Sequence, residues 1–333
     1  MKQKSRKLFL LTIVAIAVLL AQSVSASAPF TIVSLGSLGG PTSNAQDIND
    51  RGQIVGSSGL PSDPTQSSHA FLWQNGKMTD LGTLGGSYSD AVAINERGQI
   101  VGTSLSKKAY RAFLWQNGKM TDLGTLGGRS SAGNNINLRG QVVGSSETAK
   151  GREHAFLWQN GKMTDLGTLG GSSSTAFGLN ARGQVVGVSN TASGAQHAFL
   201  WKNGRMTDLG TLGGSSSAAL DINARGQIVG YSETASGDTH ATLWQDGKVK
   251  DLGTLGGPFS QAKAINEKGQ IVGYGDNGQG AFHAFLWEKG TLTDLGKLPN
   301  GIYSMALAIN ERGQIAGWSD DSSSLEQAVL WTK

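Results

Sequence analysis

Short apolar runs alternate along this chain with clusters of turn-forming residues, and four such runs recur in a fixed order. The first carries small and apolar residues, as in Ser217-Ala218-Ala219-Leu220-Asp221-Ile222. Asn223-Ala224-Arg225-Gly226 then reverses the chain, with glycine free to take positive φ. Gln227-Ile228-Val229-Gly230 is the second run, and its adjacent Ile and Val suit a strand covered on both faces. Ala198-Phe199-Leu200-Trp201 shows the third, and the Gln-Asn-Gly-Lys that follows several of these tryptophans signals a two-residue hairpin. Lys-Met-Thr-Asp-Leu-Gly is the fourth. Four strands in about 43 residues leave no room for a helix.

The order repeats. The leucine of Asp-Leu-Gly or its variants stands at 35, 81, 123, 166, 209, 252 and 295, spaced by 46, 42, 43, 43, 43 and 43 residues. The asparagine of Ile-Asn-x-Arg-Gly-Gln-Ile-Val-Gly stands at 49, 95, 137, 180, 223, 266 and 310, and the tryptophan of His-Ala-Phe-Leu-Trp at 73, 115, 158, 201, 244, 287 and 331. A four-stranded repeat of ~40–45 residues is the period of a β-propeller blade. Phase decides the architecture. Thr31-Ile32-Val33-Ser34-Leu35-Gly36 is a lone fourth strand, and the chain stops just after a third strand at Trp331. The sequence therefore predicts an all-β, seven-bladed propeller over 27–333, in which strand 31–36 completes the last blade with 301–333 and leaves no open seam.

These motifs resemble the HAF-repeat family of bacterial extracellular proteins, named for the His-Ala-Phe found here at His69, His154, His197 and His283. The resemblance covers 31–333. Arg111 and Gln327 depart from the histidine, and Thr242 and Val329 from the phenylalanine. It implies an exported repeat protein and brings no catalytic motif with it.

Composition changes the picture mainly through charge. The formal +4 of the 333 residues comes entirely from Lys2, Lys4, Arg6 and Lys7. Those cations precede an apolar run from Leu8 to Ala21 and the small residues Val24-Ser25-Ala26-Ser27-Ala28, the pattern of a secretory signal peptide over 1–26. The mature chain is then expected outside the cytoplasm, periplasmic or extracellular. It would be electrically neutral, which argues against nucleic acid as a partner. Cysteine is absent, excluding disulfides, a thiol nucleophile and a cysteine zinc site. With 49 glycines and 6 prolines beside 38% hydrophobic residues, the chain has enough apolar content for a core. It shows no cofactor motif, and a monomer is expected.

Repetition also sorts the candidate chemistry. The five histidines share one repeat position, as do six aspartates from Asp80 to Asp294, and the hairpin register puts each His beside an Asp. A five-fold copy reads as a structural polar clamp inside each blade rather than as a general base. Arg51, Arg97, Arg139, Arg182, Arg225, Lys268 and Arg312 recur in the first turn, and Lys77, Lys119, Lys162, Arg205 and Lys248 in the second hairpin. They make one face a cationic ring, diluted by Asp50, Glu96, Glu267 and Glu311, with a weak affinity for anionic cell-wall polymer as its functional option.

The opposite face carries the divergent loops, where function usually sits. Blades two and three place Lys107, Lys108, Arg111, Arg129, Lys150 and Arg152 there. Blades five to seven place Tyr231, Tyr274 and Trp318 at one shared position, with Phe259, Tyr303, Asp276, Asp320 and Asp321 nearby. Aromatic rings beside carboxylates suit sugar recognition. Asp276-Asn277-Gly278 faintly echoes a calcium loop but lacks the later glutamate, so no metal site is assigned. Three functions follow: a non-catalytic binder of glycan or cell-envelope polymer, a platform for envelope proteins, and a polysaccharide-active hydrolase or lyase using Asp47 and Asp221 on the innermost strands. The last needs a carboxylate separation of roughly 5–9.5 Å.

Overall fold

The structure, a computed structural model, describes residues 30–61 and 67–333. The signal peptide predicted over 1–26 lies outside the described residues. Twenty-eight strands among them form seven antiparallel four-stranded sheets, with no helix. Blade one comprises Ser43–Ile48, Ile54–Gly59, Ser68–Gln74 and Lys77–Asp80, counted outward from the central channel. Blade seven takes Ser304–Ile309, Ile315–Asp320 and Glu326–Thr332 from the end of the chain and Thr31–Ser34 from its beginning. Ile32 pairs with Trp331 and Val33 with Leu330. The ring is closed as the repeat phase predicts.

Local chemistry explains each element. Asn75 and Gly76 both hold positive φ, 51° and 78°, the geometry of the predicted two-residue hairpin turn, and the register pairs Trp73 with Met78 and Phe71 with Asp80. Ile54 and Val55 are both fully buried, one against each neighbouring blade. The glycine after each such pair is dictated by contact: a Cβ on Gly56 would lie 1.9 Å from the carbonyl oxygen of Asn44 on the innermost strand. Every innermost strand carries a register shift two residues before its last position, such as that between Ala219 and Asp221. The bulge turns one extra side chain per blade toward the channel.

Hydrogen bonds between blades close two full circles that the sequence reading did not foresee. The side-chain amide of each repeated asparagine donates to the backbone carbonyl of its counterpart one blade on, from Asn49 to Asn95 at 3.2 Å and so round to Asn310, whose amide donates to Asn49 at 3.1 Å. The Oδ1 of Asn49 meanwhile accepts the amides of Arg51 and Gln53, so the buried side chain is satisfied at both ends. Nearer the loop face, a serine of each innermost strand accepts a third-strand amide from the preceding blade. Ala70 to Ser89 at 2.8 Å is one such tie, and Ala328 to Ser43 at 2.9 Å closes that circle.

The core lies between blades. In five blades its largest side chain is the fully buried third-strand phenylalanine: Phe71, Phe113, Phe156, Phe199 and Phe285. Blades five and seven have Thr242 and Val329 at that position. There the tryptophan two residues on turns inward, Trp244 to 3% exposure and Trp331 to 0%, and fills the volume. The exchange has a cost: the indole N–H of both tryptophans is buried without a hydrogen-bond partner.

Candidate functional site

The turns at one end of the sheets are uniform, so the divergent loops at the other end carry what distinguishes one blade from the next. Tyr231 stands opposite Ala218 on one side and Ala241 on the other, and Tyr274 and Trp318 occupy the equivalent places opposite Gln261 and Met305. The small third-strand alanines give these rings room, and all three are half-buried. Blades one to four hold Ser57, Thr103, Ser145 and Val188 there. The Tyr274 hydroxyl donates to Gln261 Oε1 at 3.0 Å. Burial raises the phenol pKa of both Tyr231 and Tyr274, and Tyr231 of the preceding blade raises that of Tyr274 further.

Blade six gathers the densest aromatic surface. Phe259 packs 6.0 Å from Tyr274 and 5.3 Å from Phe282 between ring centroids, and Tyr274 meets Phe282 edge to face at 5.9 Å. Phe282 was missed in the sequence, although a signal existed. It directly precedes the repeated histidine position, where other blades carry Ser68, Tyr110, Glu153, Gln196, Thr239 and Glu326. Trp318 and Tyr303 stand on blade seven, outside this three-ring cluster. Tyr303 and its neighbour Ile302 are exposed, at 38% and 51%.

The carboxylates fit the sugar-acceptor expectation poorly. Asp320 is buried, and its Oδ1 accepts the amides of Ile302 and Tyr303, both at 2.7 Å. It shapes the loop that presents Tyr303, a scaffold role in place of the expected ligand acceptor. Asp321 Oδ1 accepts the amide of Ser323 and Asp276 Oδ1 that of Gly278, so each caps a turn with one oxygen. The calcium-like segment is this same turn, with Asn277 Oδ1 accepting from Gln279. Across the ring, Lys107, Lys108, Arg129, Lys150 and Arg152 are exposed as expected. That side is not purely basic: Tyr88 and the exposed Tyr110 form an edge-to-face pair at 5.9 Å in blade two.

The repeated His–Asp pairs lie toward the same end, on the outer two strands. His69 Nδ1 lies 2.9 Å from Asp80 Oδ2, and the distance is 2.7–2.8 Å in the other four pairs. Each aspartate also accepts the amide of the glycine two residues on, as Asp80 does from Gly82 at 2.7 Å. The pair therefore caps the outer strand's exit. It sits at the rim, not inside the blade, since the aspartate side chains are 41–43% exposed. Arg111 retains a looser version with Asp122 at 3.8 Å, and Gln327 turns instead to the carbonyl of Pro41.

Asp47 and Asp221 both line the central channel, a cavity of about 380 Å³ whose wall also holds Gln46, Asn134, Asn135 and Lys263. Each carboxylate staples two blades. Asp47 accepts from its neighbour Ile48 and from Ile94 of blade two, both at 2.8 Å; Asp221 accepts from Ile222 at 2.8 Å and Ile265 of blade six at 2.9 Å. Burial pushes Asp47 up to about 7 against the lowering effect of those amides, with Asp221 and Glu96 adding repulsion; Asp221 rises to about 6 for the same leading reason.

No family model matches the chain, and no curated protein matches it. Solved structures do. A puromycin-hydrolyzing peptidase of Mycobacterium tuberculosis shares 13% identity at a TM-score of 0.63 over 92% of this chain and 54% of that one. The β-propeller domain of the Trilobed protease from Pyrococcus furiosus shares 11% at 0.61, over 87% and 93%. TolB from Acinetobacter baumannii shares 12% at 0.52, over 85% and 65%. The chain thus spans less than two thirds of both the peptidase and TolB. These likenesses show the propeller fold. The Pyrococcus domain is described as having an open velcro topology; here the N-terminal strand zips the ring shut. Among the described residues no helix is long and apolar enough to cross a membrane.

Proposed function

We propose that this chain is an exported, non-catalytic binding propeller of the HAF-repeat type, which holds glycan or cell-envelope polymer on the divergent-loop face of blades five to seven. The observation that carries this reading is the aromatic surface of Phe259, Tyr274 and Phe282, flanked by Tyr231 and Trp318, on a scaffold whose other blades lack rings at the shared second-strand position. Apolar ring surface covers the C–H face of a pyranose. Its polar partners are main-chain groups, Gln261 and the second oxygens of Asp276 and Asp321 rather than Asp320.

The five equivalent His–Asp pairs and the amide-bound channel acids support a scaffold role for the titratable groups. Retention on a panel of insoluble polysaccharides, compared with a Tyr231→Ala/Tyr274→Ala/Trp318→Ala variant, tests the proposal. Loss of retention in a folded variant is expected. Retention unchanged by the variant moves the site elsewhere, and no retention on any polymer removes the glycan assignment. Release of soluble sugar would indicate catalysis.

A further inference from the structure

The turn face presents a different surface. It is built from identical parts: in every blade the first turn is closed by the same pair of bonds, as from Gly52 to the Asn49 carbonyl at 3.0 Å and from Asn49 to the Gln53 carbonyl at 3.1 Å. In blades one to six the second turn is a two-residue hairpin, tied to the first by Gln53 donating to Gln74 at 3.1 Å and by its counterparts in four more of them. Six blades therefore present the same pair of turns at this end of their sheets, where the loop face differs from blade to blade. The seven first-turn cations and the second-turn cations at Lys77, Lys119, Lys162, Arg205 and Lys248 are all exposed, and Lys202 and Lys289 of the same hairpins are exposed too, beside one exposed acid, Asp246. They form two concentric rings.

The first-turn acids are drawn into the scaffold instead of neutralising those rings head to head. Glu96 Oε1 accepts the amide of Asp50 at 2.7 Å, Asp50 Oδ1 accepts that of Glu311 at 2.8 Å, Glu311 Oε1 that of Glu267 at 2.6 Å, and Glu267 Oε1 that of Ala224 at 2.7 Å. Each carboxylate thus points along the ring at a neighbouring blade, and three of the four residues are half-buried. None forms an ion pair with a first-turn cation. Two of the cations also reach the next blade, Arg139 through the carbonyl of Ala181 and Lys268 through that of Glu311. A chain that is neutral from residue 30 onward therefore concentrates cationic charge on the turn face.

We infer that the turn face docks on an anionic lipid bilayer. Charge spread over this face matches a planar array of headgroups along both rings at once, whereas a linear polyanion could follow only an arc of either ring. Adsorption would be electrostatic and peripheral, additive over many weak contacts and screened by salt. It would also hold the divergent loops outward, away from the surface.

Vesicle sedimentation tests this with the mature protein, using phosphatidylglycerol–phosphatidylcholine vesicles against phosphatidylcholine alone. Binding to the anionic vesicles only is expected at about 20 mM salt, with release by about 500 mM. Arg97→Gln/Arg139→Gln/Arg182→Gln should weaken it roughly tenfold to a hundredfold. The matched loop-face variant Lys107→Gln/Lys108→Gln/Lys150→Gln should leave it within about twofold. Amine acetylation of the unmutated protein gives a readout independent of any variant's folding. Bound vesicles should protect Lys77, Lys119, Lys162, Lys248 and Lys268 and leave Lys107, Lys108 and Lys150 reactive. No binding to anionic vesicles, equal losses in the two variants, or protection of the loop-face lysines instead would each overturn the inference. So would binding to soluble polyphosphate without binding to vesicles, which would reassign the face to a polymer.

Discussion

Blade three is made from one continuous stretch of chain, whereas blade seven is made from both ends. The first has Phe156 buried at its centre, Trp158 half-exposed beside it, and His154 bonded to Asp165 at the rim. The second has Val329, a fully buried Trp331 whose indole N–H lacks a partner, and Gln327 and Ser34 where the His–Asp pair would be. Both are four-stranded sheets of the same topology. The difference shows that a blade of this ring needs a filled volume and a paired outer strand, and tolerates several ways of providing them. It also shows where the ring is weakest. Only in blade seven does the outermost strand arrive without a covalent turn from the third.

The largest way to break the comparison is to remove 31–36. This deletes the pairings of Thr31 through Ser34, the Leu35 amide bond to Ala328, and the burial of Leu35 and Ile32. Calorimetry should show a loss of roughly 3–6 kcal/mol and a fall of ~10 °C in Tm. A truncated chain melting like the parent would mean that the seam contributes nothing to closure.

Trp331→Ala against Trp158→Ala comes next. The first empties a core position and should cost about 3–5 kcal/mol; the second removes a half-exposed ring and should cost about 1–2 kcal/mol. Trp331→Phe sharpens the point: it gives up some volume but also removes the unpartnered N–H, so denaturant titration should show a change within about 1.5 kcal/mol.

How far the sequence could be read follows from the same contrast. The repeat phase fixes strand order, blade number and the shared seam, because those depend only on where motifs fall along the chain. Thr242 and Val329 are visible as departures, yet that Trp244 and Trp331 rotate inward to compensate depends on volume, which a string of letters does not carry. The asparagine circle is visible as a seven-fold motif, but its partners lie 42–46 residues apart, or 261 across the seam. At the loop face the aromatic positions were legible from their absence in blades one to four, whereas Asp320 looks like a surface acceptor until its burial beneath Ile302 and Tyr303 is seen.

The asparagine circle gives the next smaller effect. Asn310→Ala breaks the link to Asn49 and strands the amides of Arg312 and Gln314, which its Oδ1 accepts at 3.0 Å each. Asn180→Ala breaks the matching link within the continuous part of the ring. Each should cost about 1–3 kcal/mol. Hydrogen exchange should then distinguish them. With Asn310→Ala, faster exchange should spread to Ile32 and Val33, because the blade being loosened holds its outer strand by pairing alone; with Asn180→Ala it should remain local.

The smallest effect lies on the innermost strands, where blades three and seven carry Asn135 and Ala308 and blades one and five carry Asp47 and Asp221. Asp47 rises from 3.8 to about 7 and Asp221 from 3.8 to about 6, mainly through burial. Folding therefore favours the protonated acids. Their contribution is fully present below the unfolded value near 3.8 and is lost as pH rises through about 6 and then about 7. Between pH 5 and pH 8 the parent's Tm should fall through the ionisation of these two groups. Asp47→Asn/Asp221→Asn replaces one acceptor at each staple with an N–H₂, so its Tm should fall at every pH. The slope is the informative quantity, and it should flatten in this window. A variant that keeps the parent's full slope would place the titrating groups elsewhere, beginning with Asp90, which burial also raises to about 6 and whose Oδ1 is buried without a partner.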